Sequence, residues 1–213
     1  MKKEVTVEER KKLSLEILSV IDEFCKKNRI TYFLYWGTLL GAVRHKGFIP
    51  WDDDIDIAMP RPDYNRFLNE FKADGYYITS WNNTKKIVTP FIKVNSDKTF
   101  GELPNGKLLE YGVAVDIFQI DGYPENYDKI LKYRENQKRL FQKFYLRGLS
   151  YEMGVHSKSL FKQLCMFILY PFFRSRKWAA IIDKNAEKND FNSSKYVGTS
   201  CTYWHTTKTN VYQ

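Results

Sequence analysis

An α/β (α+β) fold is predicted by three features of this 213-residue chain. Helical and strand-like patterns alternate through its first 124 residues. A cluster of aspartates, Asp52-Asp53-Asp54-Ile55-Asp56-Ile57, runs into an apolar strand ending at Met59. A later strand, Gly112 to Gly122, is strongly apolar but carries one carboxylate, Asp116, in mid-run. We divide the chain into a core at 1–124 and a helical, basic region at 125–213.

The bulk properties bound the reading. Hydrophobic residues make up 43% and aromatics 16%, which excludes a disordered chain. Lys+Arg 34 against Asp+Glu 25 gives a net charge of +9, pointing to an anionic partner: a nucleotide, a polyanionic glycan, a membrane surface or nucleic acid. Basic residues interleaved with aromatics, as nucleic-acid surfaces require, do not occur, so nucleic acid is disfavoured. Cys25, Cys165 and Cys201 are odd in number and widely spaced, so they read as free thiols of a reducing cytosol. The N-terminus is charged and has no apolar signal segment. The longest apolar run, near Leu160 to Phe173, contains Lys162 and Gln163 and falls short of the roughly 20 residues of a membrane span.

The elements follow in order. Thr6-Val-Glu-Glu9 is a capping box, and Leu13, Ile17, Val20, Ile21 and Phe24 recur at helical spacing, so the first helix runs from Val7 to Asn28. Thr31 to Tyr35 is aromatic and branched and reads as a strand. Thr38 is placed to cap a short helix from Leu39 to His45, which Gly47 ends. The acidic strand follows, stopped by Pro60-Arg-Pro62, where Pro62 suits a first helical turn and Tyr64, Phe67, Leu68 and Phe71 form its apolar stripe. Tyr76 to Trp81 and Phe91 to Asn95 read as an antiparallel pair, with turn residues Asn82-Asn83-Thr84 and then Lys85-Lys86 between. Glu125 to Arg147 is a basic helix, Ser159 to Phe173 an apolar one, and Trp178 to Asn189 a third. The first two are either a solvated face plus a core helix or a hairpin lying on an anionic membrane. Lys195 to Ser200 starts a final strand.

The chemistry gathers at Trp36 to Met59. On an extended strand Asp54 and Asp56 share a face about 7 Å apart, with Ile55 and Ile57 opposite. Carboxylates so placed repel unless a cation lies between them, and Mg²⁺ binds through one or two carboxylates plus substrate phosphates. An EF-hand is excluded, because the glycine and glutamate its loop needs are missing. Strand, Gly37-Thr38, helix start is a phosphate-holding arrangement, with Gly37 allowing close approach. Trp36, Trp51 and Asp53 flank this site and are expected, with Gly37, Thr38, Arg44 and His45, to bind the substrate or its nucleotide. Arg44 and His45 read either as charges complementing a helix C-terminus or as a phosphate clamp, for which Arg44 is the better shaped. Asp116 supplies a third carboxylate, as metal ligand or as general base. Asp121, just before Gly122, reads as a turn residue.

Three islands carry a family resemblance. Tyr35-Trp-Gly-Thr-Leu-Leu-Gly-Ala-Val-Arg44 followed by Gly47-Phe-Ile-Pro-Trp-Asp-Asp-Asp-Ile-Asp-Ile57 resembles the LicD family, as does Val115-Asp-Ile-Phe118. Lys195-Tyr-Val-Gly198 is a weaker echo. The family is similar to bacterial phosphocholine transferases and to the catalytic domains of fukutin-related ribitol-phosphate transferases. The resemblance implies a nucleotidyltransferase-like mixed sheet flanked by helices, with 1–124 as its catalytic core. It implies transfer of a phospho-alcohol, typically phosphocholine from CDP-choline, to a hydroxyl of a cell-surface glycan such as lipopolysaccharide, teichoic acid or capsule. Asp54 and Asp56 would hold Mg²⁺, or Mn²⁺ in its place, with Asp116 as the third carboxylate. The glycan acceptor would be lipid-linked and the protein cytoplasmic, peripheral to the inner face of the membrane.

There are departures from that pattern. Gln119 stands where the family has proline after Asp-Ile-Phe. The chain ends before the family's Tyr-Gly-Asp and Pro-Pro segment, so the region from 125 reads as truncated. The cysteine zinc site of the eukaryotic relatives has no equivalent spacing here. Three rival readings stand beside the transferase: an Asp-x-Asp glycosyltransferase using a nucleotide-sugar, a nucleotidyltransferase leaving NMP on a small molecule, and a non-catalytic basic membrane-binding module.

Overall fold

The computed structural model describes residues 4–83, 89–101, 112–155 and 175–200, with side chains except at 145–155 and 175. The chain divides into two compact units, Met1–Ile87 with Phe91–Ile120, and Val88–Pro90 with Asp121–Gln213. The described residues form five helices and a six-stranded mixed sheet, so the expected α/β class holds.

In the first unit, α1 spans Val7–Asn28 as expected. The Thr6 hydroxyl accepts from the Glu9 N–H at 3.2 Å, and the Thr6 N–H donates to Glu9 Oε2 at 2.9 Å, which closes the capping box. The sheet of this unit runs in the order β1 (Phe33–Leu34), β2 (Ile55–Pro60), β5 (Ala114–Tyr123), β4 (Ile92–Ser96), β3 (Tyr76–Thr79). β2 and β5 are parallel, and the other pairs on this path are antiparallel. One face of the sheet is core: Ile55, Ile57, Val115, Ile117, Ile92 and Val94 pack beneath Ile17, Ile21 and Cys25 of α1 and beneath Tyr64 and Phe67 of α3 (Arg61–Glu70). Alternation along each strand therefore sends Asp56, Asp116 and Lys93 to the opposite face.

Several elements differ from their sequence-based bounds. α2 spans Trp36–His45, starting three residues earlier than expected. Its N-cap is Tyr35, which makes no side-chain cap bond, and Thr38 lies inside the first turn. Lys46, at φ 56, rather than Gly47, takes the left-handed position that ends the helix, and Gly47 contributes an N–H to the Gly41 carbonyl at 3.4 Å. β1 is only two residues long. β3 stops at Thr79 because the Asn83 side chain accepts the Ser80 N–H at 2.8 Å and turns the chain.

In the second unit, α4 spans Tyr127–Val155, longer than expected, and packs on α5 (Ser175–Ala186). The expected helix at Ser159 to Phe173 lies outside the described residues. β6 (Tyr196–Thr199) pairs with β5. A buried polar network joins these elements: Asn185 donates to Gln137 at 3.1 Å, Tyr133 to Ser200 Oγ at 2.9 Å, and Tyr123 to the Thr199 carbonyl at 2.9 Å. Asp121, expected in a turn, is inside β5 and 1% exposed. Lys129, Lys132, Arg139 and Lys143 on α4 face water. Among the described residues no helix is long and apolar enough to cross a membrane.

Candidate active site

Strand register builds the site. Asp56 on β2 is the direct partner of Asp116 on β5, and Asp116 is the direct partner of Lys93 on β4. These three side chains form one row across neighbouring strands, about 5 Å apart from strand to strand. The next row is Ala58 beside Phe118. Phe91 packs on Phe118 at 4.4 Å between centroids, and Trp36 does so at 5.1 Å. The carboxylates thus sit beside an aromatic cluster, in which Ala58 and Phe118 are buried, 0% and 3% exposed.

Asp56 is pinned by its backbone. Its N–H donates to Thr38 Oγ1 at 2.8 Å, and its carbonyl accepts from the Tyr35 N–H at 2.9 Å. The Thr38 hydroxyl is therefore spent on β2 and not on capping its own helix. That tertiary bond explains why α2 begins early. Trp36 opens the helix with φ 43, a left-handed conformation that is a genuine outlier for a bulky residue. Stacking on Tyr35 at 5.2 Å and on Phe118 holds it there.

Gly37 faces Asp52. A Cβ built on Gly37 would lie 2.5 Å from Asp52 Oδ2, so the Asp52 carboxylate rests on the first turn of α2, where a helix favours an anion. Asp53 turns the other way and pairs with Arg10 of α1 at 3.2 Å. Trp51 is 80% exposed. Arg44 and His45 lie at the far end of α2, roughly 10 Å along the axis from Gly37, with Arg44 Nε donating to His45 Nε2 at 2.9 Å. The turn, Asp52, Asp54, Asp56 and Asp116 are thus brought together, while Arg44, His45 and Asp53 point elsewhere.

The gathered charges raise one another's proton affinity. Desolvation, then a hydrogen bond to Asp52 and the charges of Asp52, Asp116 and Asp53, push the Asp54 carboxyl up to about 6. Burial, then the charges of Asp116 and Asp54, push Asp56 up to about 7, with Lys93 opposing. Burial also raises Asp116, again opposed by Lys93. The Lys93 ammonium contacts both Asp116 oxygens, at 2.5 and 2.6 Å.

Asp52 and Lys93 were not singled out from the sequence. For Lys93 the signal was present, since a lysine between Ile92 and Val94 of a core strand interrupts the apolar pattern just as Asp116 does. Asp52 depends on how the loop folds onto α2, which spacing does not reveal.

A divalent ion fits part of this donor set. Asp54 and Asp56 offer hard oxygen ligands with unmet negative charge, which suits Mg²⁺. Among the described residues no three acidic, His or Cys side chains already form a metal cage.

Comparison with known proteins gives the site a context. Residues 29–153 match the LicD/FKTN/FKRP nucleotidyltransferase domain. The chain is 32% identical over 146 residues to the lipopolysaccharide cholinephosphotransferase LicD of Haemophilus influenzae, covering 67% of this chain and 54% of that protein. It is 44% identical over 80 residues to an uncharacterized protein of Rickettsia typhi, covering 36% of this chain and 26% of that one. It is 33% identical over 132 residues to another of Rickettsia prowazekii, covering 59% and 46%. The matched stretches thus span about half the length of these relatives or less. No solved structure matches.

Proposed function

The chain belongs to the LicD/FKTN/FKRP family of nucleotidyltransferase domains, and on that footing we propose that it transfers phosphocholine from CDP-choline to a hydroxyl of a cell-surface glycan, lipopolysaccharide first. The observation that carries this reading is the convergence of Asp54, Asp56 and Asp116 beside the Gly37-Thr38 turn. The likeness to a lipopolysaccharide cholinephosphotransferase supports the choice of alcohol and acceptor.

Asp54 and Asp56 would hold Mg²⁺, which neutralises charge on the donor's diphosphate. Thr38 and Tyr35 hold Asp56 in place through its backbone, so the carboxylate pair is set before substrate arrives. The absence of a side chain at Gly37 lets an anionic group approach the first turn of α2, where the Asp52 carboxylate rests and where a donor phosphate would take its place. Trp36 and Phe91, both packed on the buried Phe118, would receive a cytosine ring or a quaternary ammonium group. Asp116 accepts the proton of the attacking hydroxyl. The acceptor oxygen bonds to the choline-bearing phosphorus as the bond to the bridging oxygen breaks, and CMP leaves. A lipid-linked acceptor would bring the protein to the anionic inner face of the membrane, where exposed Lys129, Lys132 and Arg139 add attraction.

The test is incubation with CDP-choline and lipopolysaccharide, with and without Mg²⁺, following CMP release and choline incorporation. Asp54→Asn is expected to lower transfer at least about a hundredfold, with an unchanged far-UV circular dichroism spectrum. Near-normal Mg²⁺-dependent transfer by Asp54→Asn, or turnover of UDP-sugars in preference to CDP-alcohols, would overturn the assignment.

A further inference from the structure

Among the described residues, the row on the sheet's charged face contains one cation, and its placement is specific. Lys93 sits opposite Asp116 by strand register, with Ile92 and Val94 buried on either side, so the backbone delivers it to that carboxylate. Its ammonium engages both Asp116 oxygens, at 2.5 and 2.6 Å, in a pair whose side chains are only 21% and 20% exposed. The same ammonium lies 5.2 Å from the centre of the Phe91 ring, and Phe91 is itself packed against Phe118. The pair is therefore not a solvent-screened surface contact. A carboxylate with both oxygens committed to an ammonium is a poor further ligand for a nearby ion. Lys93 compensates the charge of Asp116, which leaves Asp54 and Asp56, with Asp52 beside them, for a divalent ion to neutralise.

We propose that Lys93 is a positioning residue that holds Asp116 out of the coordination shell of the ion at Asp54 and Asp56, and so keeps Asp116 as the acceptor of the substrate proton rather than a third ligand. This rests on the donor-site reading above. Without the ammonium, Asp116 turns toward its strand neighbour Asp56 and joins the ion. The ion is then held more tightly, and the proton acceptor is lost.

The experiment measures Mn²⁺ binding to the purified chain by calorimetry and electron paramagnetic resonance, for the wild type, Lys93→Met and Lys93→Arg. Lys93→Met is expected to bind Mn²⁺ about tenfold tighter or more, because a repelling charge leaves and a ligand is gained. Its thermal midpoint should fall in EDTA and recover with Mn²⁺ by a larger shift than the wild type shows. Lys93→Arg keeps the charge and should bind Mn²⁺ like the wild type. Transfer by Lys93→Met should be slower despite tighter metal binding. If Lys93→Met does not fold, as judged by circular dichroism, Lys93→Gln is read in its place. A purely structural lysine would lower the midpoint and leave Mn²⁺ affinity unchanged; that result, or weaker binding, overturns the inference while leaving the donor site standing. Failure of the wild type and the variants alike to bind Mn²⁺ overturns both.

Discussion

Asp56 is held rigidly in a place where its charge is costly. Thr38 and Tyr35 fix its backbone while Asp54 and Asp116 crowd its carboxyl, which is pushed up to about 7. The native state of the metal-free protein therefore binds protons that the unfolded chain releases between about pH 4 and 7. Native proton binding in excess of the unfolded chain's makes stability fall as pH rises through that window. Asp56→Asn removes the charge and keeps the shape. We expect it to raise the melting temperature in EDTA at pH 8 by about 2–4 °C, corresponding to about 1 kcal/mol after allowance for screening by water. The gain should shrink as pH falls and vanish below about pH 3, where the wild-type carboxyl is neutral in both states, and transfer should be lost. Calorimetry across pH checks this, and a lower melting temperature for the variant at pH 8 would show that the carboxylate is not strained. Asp56 and Asp116 stood out in the sequence because each breaks an apolar strand where a charge needs a reason; Asp54, expected on the same strand, lies just before β2. Lys93 breaks β4 in the same way, but a single lysine is read easily as an exposed face. Only the register with Asp116 gives it a partner.

Helix α2 shows what an element's sequence can and cannot disclose. α1 was legible to its ends because its cap is local: Thr6 and Glu9 bond within one turn. Thr38 has the same chemistry, yet its hydroxyl serves the Asp56 amide 18 residues away. No local pattern distinguishes the two uses. Two glycines of this helix look equivalent in sequence and differ in structure. A methyl at Gly37 meets the end of the Asp52 side chain at 2.5 Å, whereas one at Gly41 meets the Gly47 carbonyl at 2.5 Å and the Ile49 amide at 3.2 Å. A side chain can turn aside; a backbone pinned by the helix end cannot. Gly37→Ala should therefore fold with less than about 1 kcal/mol lost, but raise KM for CDP-choline several-fold by displacing Asp52 and narrowing the phosphate approach. Gly41→Ala should lose about 1–3 kcal/mol in urea unfolding, even though alanine is the better helix former by about 1 kcal/mol. A stable Gly41→Ala alongside an unfolded Gly37→Ala would reverse the assignment of the two contacts.

At the scale of the molecule, the sheet's two faces divide the labour. One face is core and the other carries the charges, and strand alternation made that division readable from Ile55-Asp56-Ile57 and from Val115-Asp116-Ile117. The second unit was less legible. Gln137 and Asn185 are buried and bonded to each other, a pairing across 48 residues that periodicity cannot suggest. The core face provides a test of cooperativity in the first unit. Cys25 on α1 is 1% exposed within the cluster formed by α1, α3 and the sheet, and burial, with the charges of Asp22 and Asp63, pushes its thiol up to about 12. From a reference value of 9.0 that reduces the reactive thiolate about a thousandfold, before steric shielding is counted. In a chain with Cys165 and Cys201 replaced by serine, iodoacetamide at pH 8 should leave native Cys25 unlabelled over hours. Labelling should rise in urea with the same midpoint as the loss of far-UV circular dichroism, because α1 cannot expose Cys25 without opening the cluster that Ile17 and Ile21 share with β2 and β5. Labelling well before that midpoint would mean that α1 detaches from the sheet on its own. The open face, with Asp56 tied through Thr38 and Tyr35 rather than through α1, would then keep its carboxylate row while the core beneath it loosens.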